Sequence, residues 1–315
     1  MKQRKKKFKN LLILLILSLI LLVGCIIFLC MCKKEGIFTS AKQDTELVTE
    51  TMTQSESEPE ITPVVTEPLS YIEKCELDYV EPPVKRTREE AIEKIKELSR
   101  WFPALYQVYL NEELYPLELL LSGAGNPEMT DYLYGYLTSD GSTNGHFTED
   151  EQPEDFPLLL QWDPRWGYMP YGSNGTVGSS GCGPTCLSMA VFYLTGNREC
   201  TPDVVAHYSL DNGYYIDTVG TAWALLDTYP TEFGLSVSNP SLSDENLKAH
   251  LDCGNILICS VRPGDFTSEG HFILIYGYDE SGYKINDPKC IYRSRLSWTY
   301  EQIQDDIKRI WSVGK

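Results

Sequence analysis

The chain has 315 residues, 42% of them hydrophobic and 23% charged, enough for one or two globular domains with appendages. Its net charge is −18, and the first 34 residues hold eight Lys and Arg but no acidic side chain, leaving 19 basic against 45 acidic residues beyond them. Such an acidic surface repels phosphate backbones and argues against nucleic acid as a partner. Ten Cys without paired CxxC spacing and four His (His146, His207, His250, His271) argue against a dedicated zinc site, and no cofactor motif is present.

Leu11 to Cys32 is an apolar run without a charge, and a helix of ~20 such residues spans a ~30 Å hydrocarbon core. Lys2, Arg4, Lys5, Lys6, Lys7 and Lys9 precede it, whereas only Lys33 and Lys34 follow directly. The positive-inside rule then keeps the N-terminus in the cytoplasm and sends everything after Lys34 outside. Residues 1–34 therefore read as a basic tail and a single-pass membrane anchor. Leu22-Val23-Gly24-Cys25 also resembles the box before a lipidated cysteine, which would make a lipoprotein anchored at Cys25. The apolar run continues through Ile26 to Cys30, as an uncleaved span would. Residues 35–70, rich in Thr, Ser, Glu and Pro, cannot bury a core and read as a disordered spacer.

Residues 71–150 read as a small helical segment followed by an acidic linker. Thr87-Arg88-Glu89-Glu90 is a capping-box pattern, with Ala91, Ile92, Ile95 and Leu98 at helical spacing after it, predicting a helix over Arg88 to Ser99. Further helices are expected around Ala104 to Glu113, Pro116 to Leu121 and Pro127 to Leu137, and the Gly-rich acidic stretch Ser139 to Asp155 reads as a linker. From 155 to 315, short apolar runs at Asn255 to Val261, His271 to Tyr278 and Tyr283 to Ile285 read as strands. Helices are expected at Thr185 to Leu194, Pro202 to Ser209, Thr221 to Thr228 and Asp244 to Leu251. The fold class is α+β.

The chemistry concentrates in this last region. Ser180-Gly181-Cys182-Gly183-Pro184 runs into a helix, where unpaired backbone N–H groups and the helix dipole favour a thiolate, and the flanking glycines are expected to admit a substrate backbone. His271 opens a strand and supplies a base. Asp287 ends the next strand and could orient that base. A symmetric turn at Asp279 to Gly282 would put Asp287 opposite Leu274, ~10 Å short of His271, so a bulge or a different register is required. Gln161, in Gln161-Trp162-Asp163-Pro164-Arg165-Trp166, could donate an amide N–H to an oxyanion. Each residue alone has a plainer reading: a buried structural Cys, a satisfied edge His, an Asp-Pro turn.

Together, Gln161-Trp-Asp-x-Arg-Trp, Ser-Gly-Cys182-Gly-Pro-Thr, Gly-His271-Phe and Asn-Asp287-Pro resemble the C39-like, papain-like cysteine peptidases of bacteria, over about Leu158 to Lys315. The helical stretch beginning Lys85-Arg86-Thr87-Arg88 resembles the region that precedes the peptidase domain in membrane-anchored members. The resemblance implies a papain-like fold, a nucleophile-bearing helix packed on an antiparallel sheet. In it Cys182 would be the nucleophile, His271 the base and acid, Asp287 its orienter and Gln161 the oxyanion donor. Expected partners are a peptide or protein substrate outside the cytoplasmic membrane, and the membrane itself. Rival functions are a cell-wall amidase or transpeptidase using the same groups, a non-catalytic surface binding module, and a metal site on Cys182 and Cys186.

Overall fold

The computed structural model describes residues 77–217 and 219–315, which lie within one compact unit, Thr66–Lys315. The expected anchor at 11–32 and spacer at 35–70 fall outside the described residues. Among the described residues no helix is long and apolar enough to cross a membrane.

The first helices follow the sequence closely. α1 (Arg88–Leu98) begins at Thr87, whose side chain accepts from Glu90 N–H while the Glu90 carboxylate accepts from Thr87 N–H, the reciprocal capping box. α2 (Leu105–Leu110), α3 (Leu117–Gly125) and α4 (Thr130–Tyr136) follow. Their core of Ile95, Leu105, Leu119, Leu120 and Tyr132 is completed by Leu160, Trp162 and Ile291 from much later in the chain. These helices are therefore packed into the rest of the unit. The stretch Ser139 to Asp155 is also more than a connection. Phe147 is buried with its ring stacked 4.0 Å from that of Phe192, and Arg165 grips Glu151 with two 2.8 Å hydrogen bonds. Acidic composition hid the one aromatic anchor and the ion pair that tie it down.

α5 (Val177–Ser180) leads into α6 (Cys182–Thr195), then α7 (Pro202–Asp211), the short pair β1 (Tyr215–Ile216) and β2 (Gly220–Thr221), and α8 (Trp223–Thr228). Next come β3 (Ser236–Ser238), α9 (Asp244–Asp252), β4 (Ile256–Val261), β5 (His271–Asp279) and β6 (Gly282–Asn286). The chain ends with α10 (Ile291–Arg295), β7 (Ser297–Trp298), α11 (Tyr300–Ile303) and β8 (Ile307–Gly314). The six-stranded sheet runs β3-β8-β4-β5-β6-β7, every neighbouring pair antiparallel. With helices gathered against it, this is an α+β fold.

The sheet is covered on both faces. Ile256, Ile258, Phe272, Leu274, Trp311 and Val313 meet α6, while Leu257, Cys259, Ile273, Ile275 and Ile310 share a second core with Leu247 of α9 and Trp298. Double coverage is why β4 is buried along its whole length and apolar at every position but Ser260, with no alternation.

Register decides the site. β5 and β6 start from the expected turn, Asp279 opposite Gly282, but the pairing shifts between Ile275 and Gly277, so that Leu274 faces Asn286. Asp287, one step on, is thus level with Ile273 instead of Leu274. Because side chains alternate along a strand, that single-residue shift moves Asp287 to the side of the pleat that His271 occupies. The remaining offset of two residues, about 7 Å, is spanned by the two side chains.

Candidate active site

Cys182 is the first residue of α6, with Gly181 at the cap. The Gly181 carbonyl accepts from Thr185 N–H (2.9 Å) and from the Thr185 hydroxyl (2.8 Å), pinning the first turn. The flanking glycines serve packing. A Cβ on Gly181 would lie 2.6 Å from the Val177 carbonyl oxygen, and one on Gly183 would lie 2.8 Å from Thr221. Close approach of the chain to itself thus requires glycine at both positions. Cys182 is partly exposed, whereas Cys186, one turn deeper, is fully buried.

Cys182 and His271 lie close enough for each to shift the other's protonation. His271 Nε2 meets Asp287 Oδ1 at 2.7 Å, which leaves Nδ1 as the ring nitrogen facing the thiol. Asp287 is 0% and His271 6% exposed. The other carboxylate oxygen accepts from Arg293 Nε at 2.7 Å, and Arg293 is itself buried. Asp287 Oδ1 also accepts from Lys289 N–H (2.9 Å), and Ser294 Oγ accepts from Asp287 N–H (2.8 Å).

These contacts set the charge states. Burial opposes an ionised Asp287, but Arg293 and His271 outweigh it and hold the carboxyl well below the usual range. Burial also opposes charging His271, and the Asp287 carboxylate overcomes it, raising the imidazole to about 9 with help from Cys182. For Cys182, burial would push the thiol up; the hydrogen bond and charge of His271, aided by Phe272 N–H, bring it down. In Cys186 burial goes unopposed and the thiol lies well above its ordinary value.

Gln161 is 1% exposed. Its Nε2 donates to the Gly178 carbonyl (2.8 Å), and its backbone N–H donates to Pro288 O (2.8 Å), so the segment before the nucleophile is stitched to the loop carrying Asp287. An amide nitrogen has two hydrogens, so the Gly178 carbonyl engages only one of them. Gln161 Oε1 is buried without a hydrogen-bond partner among the described residues. Cys182, Gln161 and His271 line one cleft of about 940 Å³. The other histidines are elsewhere: His250 Nδ1 meets Ser312 Oγ at 2.8 Å, His146 Nδ1 meets Asn144 O at 2.6 Å, and His207 is exposed on α7.

The four residues singled out from sequence thus come together. A model of the Peptidase_C39 like family matches residues 153–313, half of the chain. The chain belongs to the Peptidase_C39 like family. A solved structure of a candidate C39-like peptidase from Bacillus anthracis is similar at 15% identity and a TM-score of 0.32, covering 51% of this chain and 96% of that one. No curated protein matches the chain.

Three supports of this C39-like site escape the sequence reading. Arg293 lies six residues beyond Asp287 in Lys289-Cys290-Ile291-Tyr292-Arg293-Ser294-Arg295, where nothing local sets it apart from the neighbouring Lys289 and Arg295. Asn126 and Glu128 come from the helical segment. Asn126 Nδ2 donates to Lys289 O (2.7 Å), and the two Glu128 oxygens accept from Ile291 and Tyr292 N–H (2.8 Å each), capping α10. Pairings across more than 160 residues have no local pattern. Among the described residues no three His, Cys, Asp or Glu are placed to hold a metal ion, and Cys182, Cys186, Cys200, Cys253, Cys259 and Cys290 are free thiols.

Proposed function

We propose that the chain is a cysteine peptidase of papain-like mechanism, anchored in the cytoplasmic membrane and cutting peptide or protein substrates outside it. One observation carries the catalytic part: a thiol at a helix N-terminus shares a cleft with an imidazole that is held by a buried carboxylate. The anchor rests on the apolar run Leu11 to Cys32 and its basic N-terminal flank.

In the resting state Cys182 is a thiolate beside imidazolium His271. The thiolate attacks the scissile carbonyl carbon, and the electron pair of the C=O bond moves to oxygen, where Cys182 N–H and the free N–H of Gln161 receive it. Collapse re-forms the carbonyl and expels the amine, which takes its proton from His271. Water then attacks the thioester as neutral His271 accepts its proton. The second tetrahedral species releases the acid and restores the thiolate. Asp287 keeps the imidazole in one tautomer and orientation throughout, and Arg293 keeps Asp287 ionised.

The test is labelling of the full chain with an iodoacetamide-type probe, followed by peptide mapping. Cys182 is expected to carry the label, and Cys182→Ser to abolish labelling and turnover without unfolding. Cys186→Ser should retain most of both, since its thiol is buried and protonated. Label on Cys186 with an active Cys182→Ser protein would remove the mechanism. A Cys182 that reacts while no peptide is cut would favour a binding module that has kept the fold.

A further inference from the structure

Lys289 lines the same cleft as Cys182, Gln161 and His271. Its backbone is held from three directions: N–H donates to Asp287 Oδ1 (2.9 Å), and the carbonyl accepts from Trp162 Nε1 (2.9 Å) and from Asn126 Nδ2 (2.7 Å). The side chain therefore departs from a fixed point beside the nucleophile. It is only partly exposed, and among the described residues its ammonium has neither a hydrogen bond nor an ion pair.

Most other charges of the cleft are already engaged. Glu269 pairs with Lys85 (3.3 Å), Asp217 accepts from Ser173 Oγ (2.7 Å), Arg262 donates to Ile307 O (3.2 Å) and Lys308 sits 5.1 Å from the Trp223 ring centre. Asp287, close in sequence, has both oxygens committed to His271 and Arg293. Burial and the adjacent Arg293 charge hold the Lys289 ammonium below its ordinary pKa, against the opposing attraction of Cys182 and Asp287. A part-desolvated cation is costly to leave unpaired and gains most from an anion that arrives with the substrate.

Resting on the reading of Cys182 as nucleophile, we propose that Lys289 forms a substrate-carboxylate subsite: its ammonium binds a carboxylate adjoining the scissile bond, either an Asp or Glu side chain or the C-terminal carboxylate of the peptide. Substrates are thereby selected for negative charge next to the cut, by a residue that touches substrate but takes no part in the proton transfers.

Two alkylating agents of nearly equal size, iodoacetate and iodoacetamide, differ in the charge the subsite reads. Their rates with Cys182 are to be compared in the full chain, in Lys289→Met and in Lys289→Arg. A change in thiolate population alters both rates alike, so the ratio isolates the anion site, and circular dichroism reports the fold. Lys289→Met should lower the iodoacetate rate relative to iodoacetamide by about tenfold, the effect of one nearby charge partly screened by solvent, and Lys289→Arg should keep the ratio.

Peptides paired as Glu against Gln beside the cut, and as C-terminal acid against amide, then name the source of the carboxylate. The pair whose kcat/KM preference Lys289→Met abolishes is the one the subsite reads. An unchanged reagent ratio in folded Lys289→Met, or no preference for either carboxylate in the parent protein, overturns the subsite and leaves the peptidase reading standing. A Cys182 inert to both reagents removes the nucleophile and the subsite with it.

Discussion

His271 is charged against its burial, and the group that makes this possible is Asp287. The thiolate–imidazolium pair exists above the lowered pKa of Cys182 and is lost as pH rises through that of His271, about 9. Activity should therefore extend well into the alkaline range, where an unperturbed imidazole near 6.5 would already be neutral. Asp287→Ala removes the main influence that raises His271 and leaves burial, which lowers it. The basic limb of the pH–rate profile for Cys182 alkylation should then move down from about 9, with turnover at neutral pH falling on the order of 10²–10⁴-fold, and His271→Ala should cost more. Profiles recorded on folded variants check this. A basic limb that stays in place in Asp287→Ala would detach the carboxylate from the titration.

Helices and strands with strong local signals were legible from sequence: the capping box at Thr87, the apolar runs of β4 and β5, and the glycine-flanked mouth of α6. The four candidate site residues stood out in the sequence because each lay in a short distinctive motif. The sequence reading missed β8, whose Ile307-Lys308-Arg309-Ile310-Trp311-Ser312-Val313 mixes charge with apolar residues because both of its faces pack while Lys308 is exposed and Arg309 half-buried. It also could not fix the register of β6, since one residue of slip changes no composition and is set by pairing and packing alone. Least legible was the dependence of α10 on Glu128, an exchange between two elements that look unrelated. Glu128→Ala leaves two N–H groups at the start of α10 without their carboxylate, a loss of about 1–3 kcal/mol and so a melting point lower by about 2–4 °C per kcal/mol. Because α10 presents Arg293 to Asp287, turnover should fall as well. Thermal unfolding and peptide cleavage measured on the same sample test this, and a variant that melts and cuts like the parent would show the cap to be dispensable.

At the scale of the whole molecule, the acidic catalytic unit and the basic N-terminal tail belong on opposite sides of a membrane if Leu11 to Cys32 spans it. Protease added to intact cells should digest the catalytic region and spare an N-terminal tag. A protected C-terminal tag would reverse the orientation, and a mature N-terminus at Cys25 would replace the span by a lipid. The contact between Glu128 and the backbone at Ile291, 163 residues apart in sequence, also bears on how the protein is made. Ribosomes deliver the helical segment first, but its core needs Leu160, Trp162 and finally Ile291, so it cannot be sealed until Ile291 has emerged. Asp287 and Arg293 follow only long after the helical segment, with the Glu128 cap that steadies them, has been made. A chain made only just past Cys182 therefore carries the proposed nucleophile without His271, Asp287 and Arg293, and on this reading the site cannot be armed until those residues have been added.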